Sequence, residues 1–382
     1  MNLTSAASPG RYCPDIYKVA LSFLKGATLD ALHQIMDRGI TLPDLFELPE
    51  STICAILDRS LPEPFDPYHR SQAMVLAEKE MRFVERHHIR VLFADEQDYP
   101  IRLAQIQSPP PVLYMLGKTT LNQPHPVSVV GTRMVSPYGA DSTRRITREL
   151  AEYFPDLCVV SGLAYGVDCI AHTTALETKV TTLAVVAHGL DTIYPAQHRD
   201  LARRIIGAGG AILSQYPSGT RPFRSNFLER NRIVAGISDA TIVMESELKG
   251  GAMSTARHAF EANRDVFALP GRASDSKSTG CNHLIRTQRA HLITTAADLI
   301  EVTGWQPLGI KVEARHRSLF PELDGDARLI YDYLRLEPEP RAIDLIHHHT
   351  SIPMSRLMAL ISDLEFDGVL IRHPGNRLSV AT

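Results

Sequence analysis

The spacing of apolar residues divides the chain into three parts. In residues 15–85, apolar positions recur at intervals of three and four, as in "DIYKVALSFLKG" and "TLDALHQIMDRG", and both segments end in glycine. That spacing is typical of amphipathic helices, and glycine commonly follows the last turn of a helix. Residues 1–85 are therefore predicted to form a small all-α domain.

In the middle of the chain, continuous apolar runs alternate with helical patterns. The runs are "VSVVG", "LCVVSG", "TLAVVAHG", "AILSQYP", "ATIVMES", "DVFALPG" and "AHLI", and "IRVLFAD" and "PVLYMLG" precede them. Strands that are apolar throughout are buried on both faces, which indicates a mostly parallel sheet with helices on both sides. We therefore predict an α/β domain over residues 86–301, with an extended Rossmann-like, doubly wound sheet.

The remaining residues show a third pattern. Residues 302–318 have little periodicity and are predicted to be a linker. In residues 319–382, three helical segments precede two short β-type runs around a Pro-Gly-Asn turn. Three helices followed by a hairpin are typical of a winged-helix domain.

Composition narrows the possible environments of the protein. Charged residues make up 22% of the chain and apolar residues 44%, as in ordinary globular proteins. No apolar run reaches the length of a membrane-spanning helix, and the N-terminus lacks the apolar segment of a signal peptide. The five cysteines are scattered, which fits a reducing compartment. We expect a cytoplasmic protein with no membrane partner.

Charge is distributed unevenly along the chain. Residues 86–318 hold 26 Lys and Arg against 21 Asp and Glu, a net charge of +5. The flanking regions, 1–85 and 319–382, each carry a net charge of -4, from 8 basic against 12 acidic and 6 against 10. A polyanionic partner would be attracted to the middle region.

The loops that follow the predicted strands carry the candidate chemistry. Ligands of open α/β sheets bind at the carboxyl ends of the strands. Here those loops read "GTR", "SGLAYGVD", "HGLDTIYP", "ELKGGAMSTA" and "RASDSKSTG". Glycines such as Gly162 let backbone N–H groups approach a ligand, and Arg133 and Lys249 add full positive charges. Such turns also use glycine for backbone reasons alone, but five loops together favour an anion site, most simply one for phosphate.

The segment "SNFLERNRIVAG" (225–236) places two arginines near the start of a predicted helix. We interpret Asn226 and Glu229 as a capping pair, with Phe227 facing the core. An arginine near the positive end of a helix costs a few tenths to about 1 kcal/mol, which a bound anion would offset. In the loop upstream, Asp168 is interpreted as the N-terminal cap of the following helix.

Several common sites are absent from the sequence. The first loop lacks the G-x-G-x-x-G fingerprint of dinucleotide binding, and no P-loop motif occurs. The histidines His172, His188 and His198 show no metal-ligand spacing, and no base accompanies Cys281. We therefore expect no cofactor, no metal site and no catalytic residue.

The motifs resemble a known family, the DNA-processing protein A family (DprA, also Smf) of bacterial natural transformation. The resemblance rests on "VVGTRMVSPYG", "VSGLAYGVDCIAH", "GLDTIYPAQHRDL", "FLERNRIVAGIS", "KGGAMSTARHA" and "LPGRASDSKSTGCNHLI", in the family's order. It implies a non-enzymatic protein that binds and protects single-stranded DNA, loads the RecA recombinase onto it, and dimerises through the Rossmann domain. It also implies that the N-terminal domain is similar to a sterile-alpha-motif (SAM) domain.

The family's DNA-binding pocket can be transferred by motif position. By this transfer, the predicted DNA-binding residues are Thr132, Arg133, Phe227, Arg230, Asn231, Arg232, Lys249 and Gly250. Phe223 and Gly162 are further candidates. The winged-helix region has few cations in its third helix, so we interpret it as a protein-contact module.

A second function remains open. The fold class and the "KGGAMSTA" segment are similar to nucleoside-monophosphate phosphoribohydrolases, which use a glutamate shortly after this turn. Here Ala256, Arg257 and His258 follow Thr255, and Glu261 comes late. The alternative is therefore a nucleotide-processing enzyme related to that family.

Overall fold

The chain folds into two compact units, Met1–Ile310 and Lys311–Thr382, each of which is described by itself. The computed structural model describes residues 14–61, 64–94, 96–307, 323, 325–336, 340–366, 369–373 and 377–380. Among these residues, no helix combines the length and the apolar character needed to cross a membrane.

Within the described residues, five helices precede the sheet, as the prediction of an all-α region expects. They are α1 (Pro14–Leu21), α2 (Leu29–Met36), α3 (Leu42–Glu47), α4 (Glu50–Leu57) and α5 (Pro67–Arg86). Polar side chains start several of them: Thr28, Thr41 and Asp66 each accept a hydrogen bond from a backbone N–H of the first turn. Such N-terminal caps satisfy donors that have no partner within the helix.

A nine-stranded sheet forms the centre of the unit. Its strands are β1 (Arg90–Phe93), β2 (Val112–Gly117), β3 (His125–Val130), β4 (Leu157–Ser161), β5 (Thr181–Val185), β6 (Ala211–Ser214), β7 (Ala240–Val243), β8 (Asp265–Ala268) and β9 (His291–Leu292). The order across the sheet is β1-β2-β6-β5-β4-β3-β7-β8-β9. Strands β3 to β9 run parallel, and β1 and β2 pair antiparallel at one edge. The predicted mostly parallel sheet is confirmed.

The strand order places a switch point beside β3. From β3 the chain proceeds outward through β4, β5 and β6, and then returns to place β7 on the other side of β3. Loops that leave such adjacent strands in opposite directions open a crevice at the carboxyl edge of the sheet. The loops after β3 and β7 therefore border this crevice.

Helices cover both faces of the sheet, as expected. Those of the sheet domain are α6 (Ile101–Ala104), α7 (Pro137–Tyr153), α8 (Val167–Glu177), α9 (Arg199–Gly207), α10 (Arg224–Ile237), α11 (Gly251–Glu261), α12 (Thr279–Arg286) and α13 (Ala296–Thr303). Helices α10, α11 and α12 share a core with Val160 and Val185. Helices α7, α8 and α13 share another with Val129 and Val159, which point to the opposite face because side chains alternate along a strand.

The helical region packs against the antiparallel edge of the sheet. Its core includes Phe93, Val112 and Tyr114, which belong to β1 and β2. Two polar contacts join the layers: the hydroxyls of Tyr114 and Ser22 lie 2.7 Å apart, and the Glu80 carboxylate accepts hydrogen bonds from the backbone N–H and hydroxyl of Ser218. The helical layer and the sheet therefore share one apolar core.

The second unit has the elements expected of a winged helix. They are α14 (Gly325–Leu336), β10 (Arg341–Ala342), α15 (Ile343–Thr350), α16 (Met354–Phe366), β11 (Leu370–His373) and β12 (Arg377–Val380). Strands β10, β12 and β11 form a small antiparallel sheet. The Pro-Gly-Asn turn lies outside the described residues. Of the predicted linker, residues 302 and 303 end α13 and residues 308–318 lie outside the described range, so the domain boundaries stay predictions.

Replacing Tyr114 by Phe tests the joint between the layers. The change removes the hydroxyl that meets Ser22, and we expect a loss of about 0.5–1.5 kcal/mol in the free energy of unfolding in urea. Ser22→Ala removes the same hydrogen bond, so the double variant should lose less than the sum of the two single variants. Strictly additive losses would contradict a shared hydrogen bond.

Candidate nucleic-acid interface

Helix α10 sends three consecutive polar side chains to three different parts of the domain. Arg230 is 5% exposed, and its guanidinium donates a hydrogen bond to the carbonyl of Val185 at the end of β5. It also lies against Gly162, where a side-chain Cβ would overlap the guanidinium. The absence of a side chain at Gly162 therefore makes room for a buried cation at the carboxyl edge of the sheet.

The electrostatic surroundings of Arg230 are unusual for a protein interior. Burial lowers the pKa of Arg230, the negative charge of Asp168 opposes that shift, and the nearby positive charge of Arg133 lowers the pKa further. Burial raises the pKa of Asp168, whereas the positive charge of Arg230 lowers it. Two cations therefore lie close together with one buried carboxylate, an arrangement that a bound anion would stabilise.

Asn231 and Arg232 point elsewhere. The side-chain amide of Asn231 donates a hydrogen bond to the Gly251 carbonyl over 3.2 Å and so holds the first residue of α11. The guanidinium of Arg232 donates to the Ser108 carbonyl and, over 3.0 Å, to the Gln215 side chain. The structure thus brings Arg230 towards Arg133 and turns Arg232 to other partners, and a DNA contact of Arg232 stays a prediction.

Aromatic side chains surround the cations. The Arg133 guanidinium lies 5.2 Å from the centroid of the Phe227 ring, and that of Arg230 lies 6.0 Å from it. The ring of Tyr194 is 6.0 Å from Phe227. Phe223, which precedes α10, is 61% exposed. A half-buried ring beside two cations, with an exposed ring at the start of the same helix, offers a surface on which bases can stack while phosphates meet the charges.

A buried carboxylate holds the loop that carries Arg133. Glu245 follows β7 and is 2% exposed, and its two carboxylate oxygens accept hydrogen bonds from the backbone N–H and the hydroxyl of Ser136. The Glu245 carbonyl accepts another from the Thr132 N–H over 2.7 Å. Sequence patterns gave no sign of this role for Glu245, because its partners lie more than a hundred positions away.

The loop after β7 presents Lys249 on the same edge. Lys249 is exposed, and Gly250 forms the N-cap of α11. A Cβ at Gly250 would overlap the hydroxyl of Ser246, so a residue with a side chain would displace this turn. Lys249 therefore stands next to a tightly folded turn on the far side of the switch point from Arg133.

Within the described residues, no group of histidine, cysteine or carboxylate side chains could hold a metal ion. His172 is buried with its pKa lowered to about 3, mainly by desolvation, so it stays neutral. Burial raises the pKa of Cys281 to about 12, which keeps its thiol protonated and poorly nucleophilic. The buried His188 bonds the Gly189 carbonyl and the Tyr194 N–H and so braces its own loop.

Two protein-family models match this chain and identify its family. A family model described as DNA recombination-mediator protein A matches residues 90–304, and a DprA winged helix domain model matches residues 316–376. The chain belongs to the DNA recombination-mediator protein A family. The predicted family and the predicted winged-helix domain are thereby confirmed.

Individual relatives agree with this membership. Protein Smf from Synechocystis is 36% identical over 330 residues, which cover 78% of this chain and 82% of that protein. The X-ray structure of DNA processing protein A from Streptococcus pneumoniae matches with a TM-score of 0.62 and 32% identity, over 75% of this chain and 96% of that one. A structure of DNA processing protein A from Helicobacter pylori, solved for its single-stranded DNA binding mode, matches with a TM-score of 0.50 and 34% identity, over 56% of this chain and 95% of that one.

Three structural roles predicted from the sequence for individual residues were wrong. Asp168 does not cap its helix: its carboxylate accepts hydrogen bonds from the N–H groups of Gly162 and Ala164 in the preceding loop, and Gly166 is the N-cap. Asn226 and Glu229 lie inside α10, which begins at Arg224. Phe227 is half-buried beside the arginines and does not belong to the core.

Gly162→Ala tests the packing of the buried cation. The added methyl group would force the Arg230 guanidinium away from the Val185 carbonyl, and we expect a loss of about 1–3 kcal/mol in the free energy of unfolding. Gly207→Ala in α9 is the matched control, because no described atom lies within 4 Å of a Cβ built there. Equal effects of the two substitutions in urea unfolding would contradict the close contact between Gly162 and Arg230.

Proposed function

We propose that this protein binds single-stranded DNA at the carboxyl edge of the sheet, protects it, and loads a RecA recombinase onto it during natural transformation. The observation that carries the proposal is the pair of neighbouring cations, Arg133 and the buried Arg230, around the partly exposed Phe227 ring. Phosphates of the strand would meet Arg133, Arg230 and Lys249, and a base would stack on Phe227 or Phe223.

Electrostatics favour an anionic ligand at this edge. Because the positive charge of Arg133 lowers the pKa of Arg230, a phosphate between the two would remove a repulsion as well as form new bonds. The glycine-containing turns at Gly162 and Gly250 bring backbone groups to the same edge. Single-stranded DNA supplies regularly spaced phosphates and flat bases, which match cations interleaved with aromatic rings.

The family relationship supports the same ligand. The Helicobacter pylori protein, which is 34% identical to this chain, is described as a single-stranded DNA binder. Thr132 and Arg133 follow β3, and Lys249 and Gly250 follow β7, so these residues flank the switch point. Asn231 and Arg232 would contribute by holding α10 in place, in addition to any contact with the strand.

We further infer that the protein acts by binding and without chemical turnover. Two buried carboxylates at this edge, Asp168 and Glu245, both accept hydrogen bonds from backbone N–H groups of the loops that they hold. Each carboxylate therefore holds its loop in place, which is a structural role. The alternative, a phosphoribohydrolase-like enzyme, would require hydrolysis of nucleoside monophosphates, which we expect to be undetectable.

A homodimer would place two such sites along one strand. We propose that it forms through the sheet domain, where β9 is an edge strand with His291 and Leu292 exposed. The winged helix would serve protein contacts, since Arg356 near the start of α16 is bonded to Asp326 over 2.6 Å, and Arg372 is paired with Glu365 over 2.7 Å. Cations already engaged with carboxylates are weak phosphate contacts.

Titration against a single-stranded oligonucleotide at several salt concentrations tests the DNA site. Arg133→Ala and Lys249→Ala should each weaken binding and each reduce the slope of log affinity against log salt by about 0.7 per lost phosphate contact. Arg86→Ala and Lys79→Ala, which remove exposed cations from α5, are the matched controls. Unchanged slopes in both site variants, or absence of binding at low salt, would overturn the proposed site.

Recombinase loading needs a separate measurement. We expect the wild-type protein to speed the assembly of RecA filaments on single-stranded DNA that is coated with single-strand binding protein. The double variant Arg133→Ala, Lys249→Ala should lose this effect because it no longer holds the strand. If the wild-type protein binds DNA but leaves the rate of filament assembly unchanged, the loading role is wrong while the DNA site stands.

A further inference from the structure

A second surface borders Arg133. An open cavity of about 590 Å³ lies between the loop after β3 and the loop after β4, and its lining includes Arg133, Met134, Tyr165, Ile170 and His198. Met134 is 76% exposed and Tyr165 is 41% exposed. The volume falls within the range of roughly 300–1,000 Å³ that is usual for small-molecule sites. Arg133 thus contacts Phe227 and also forms part of the wall of an apolar cavity.

The Tyr165 ring is held in place from two directions. Its hydroxyl donates a hydrogen bond to the Gln197 side chain over 2.7 Å, and its ring meets that of His198 edge to face, with the centroids 5.0 Å apart. His198 is itself buried and bonded to the Leu163 carbonyl over 2.8 Å. A ring that is already fixed loses little conformational entropy when a ligand stacks on it.

Close backbone packing places Tyr165 beside Arg133. The next residue, Gly166, has a φ of +76°, and a Cβ there would overlap the Thr132 carbonyl. The Val167 N–H donates to the same carbonyl over 3.3 Å. The two loops therefore touch along their backbones, and only glycine permits that approach without strain.

We propose that this cavity binds a nucleobase of the single strand, stacked on Tyr165, next to the phosphate held by Arg133. The proposal rests on the proposed function and adds a second base-binding surface to it. A nucleotide carries a flat, apolar face and an anion within a few bonds of each other, and the lining of the cavity combines an aromatic ring with a cation. Met134 and Ile170 supply apolar contact to the edges of the base.

The open shape and the lining of the cavity predict which strands it would distinguish. Stacking on an aromatic ring accepts every base, because each base has a π-face. The residues that would meet the base, Tyr165, Met134 and Ile170, are aromatic or aliphatic, and the Tyr165 hydroxyl is already bonded to Gln197. The cavity therefore distinguishes a strand with bases from one without bases, and it does not select a sequence.

Two strands of equal length, one of homothymidine and one abasic throughout, test the proposal by comparing wild-type protein with Tyr165→Ala. We expect the substitution to weaken homothymidine binding about five- to a hundredfold, the usual effect of losing one stacked base, and to leave binding of the abasic strand unchanged. Tyr165→Phe, which keeps the ring, should retain most of the affinity for homothymidine.

Tyr68→Ala is the matched control, since Tyr68 is 68% exposed on α5, and it should alter neither strand's binding. Equal losses on both strands would show that Tyr165 only supports its loop and would overturn the proposal, as would no loss on either. If the wild-type protein binds neither strand at low salt, the proposed function fails as well. If it binds both and only Arg133→Ala weakens them, the function stands and this inference alone is wrong.

Discussion

The burial of the Arg230 guanidinium is the constraint on which the functional edge depends. A buried cation costs several kcal/mol unless its donors and charge are matched. Here the Val185 carbonyl accepts one hydrogen bond from the guanidinium, and Gly162 leaves room for it because it has no side chain. Asp168 supplies a nearby negative charge, although it forms no direct ion pair with Arg230 within the described residues. The compensation is incomplete, because the Arg230 Nε lacks a hydrogen-bond partner within the described part of the chain. Under the proposed function, the uncompensated charge of Arg230 would add to that of Arg133 in attracting an anion to the edge of the sheet.

The same constraint ties the loops of the edge together. Asp168 bonds the N–H groups of its own loop while it faces Arg230, and Gly166 presses that loop against the Thr132 carbonyl. Glu245 then fixes the loop after β3 to the end of β7 through Ser136. Asp168 and Glu245 are thereby buried as supports of these loops, and the cations Arg133 and Lys249 are exposed. Exposed positive charges therefore lie on both sides of the switch point, although the chain as a whole has a net charge of -3.

Local patterns predicted the fold and the location of the edge well. Apolar runs and helical spacing depend on neighbouring residues, so the parallel strands, the covering helices and the winged helix could be recognised. The set of loops at the carboxyl edge followed from the topology alone. The directions of individual side chains could not be predicted in this way. Arg230 and Arg232 are two positions apart, yet one reaches Val185 and the other reaches Ser108. Such choices depend on partners distant in sequence, as with Ser136 and Glu245, and periodicity carries no information about them.

The rigidity of this edge argues for a binding surface. Rings and loops are fixed before any ligand arrives: His198 and Gln197 hold Tyr165, and Tyr194 packs beside Phe227. Pre-organisation lowers the entropy lost on binding, whereas exposed cations supply the salt-dependent attraction that brings a polyanion to a surface. In the proposed complex, a strand that meets Arg133 has aromatic surface on two sides, at Phe227 of α10 and at Tyr165 of the loop after β4, and its neighbouring bases are held apart. Bases that are held apart cannot pair with one another, so under the proposed function the strand would stay available for a recombinase to assemble on.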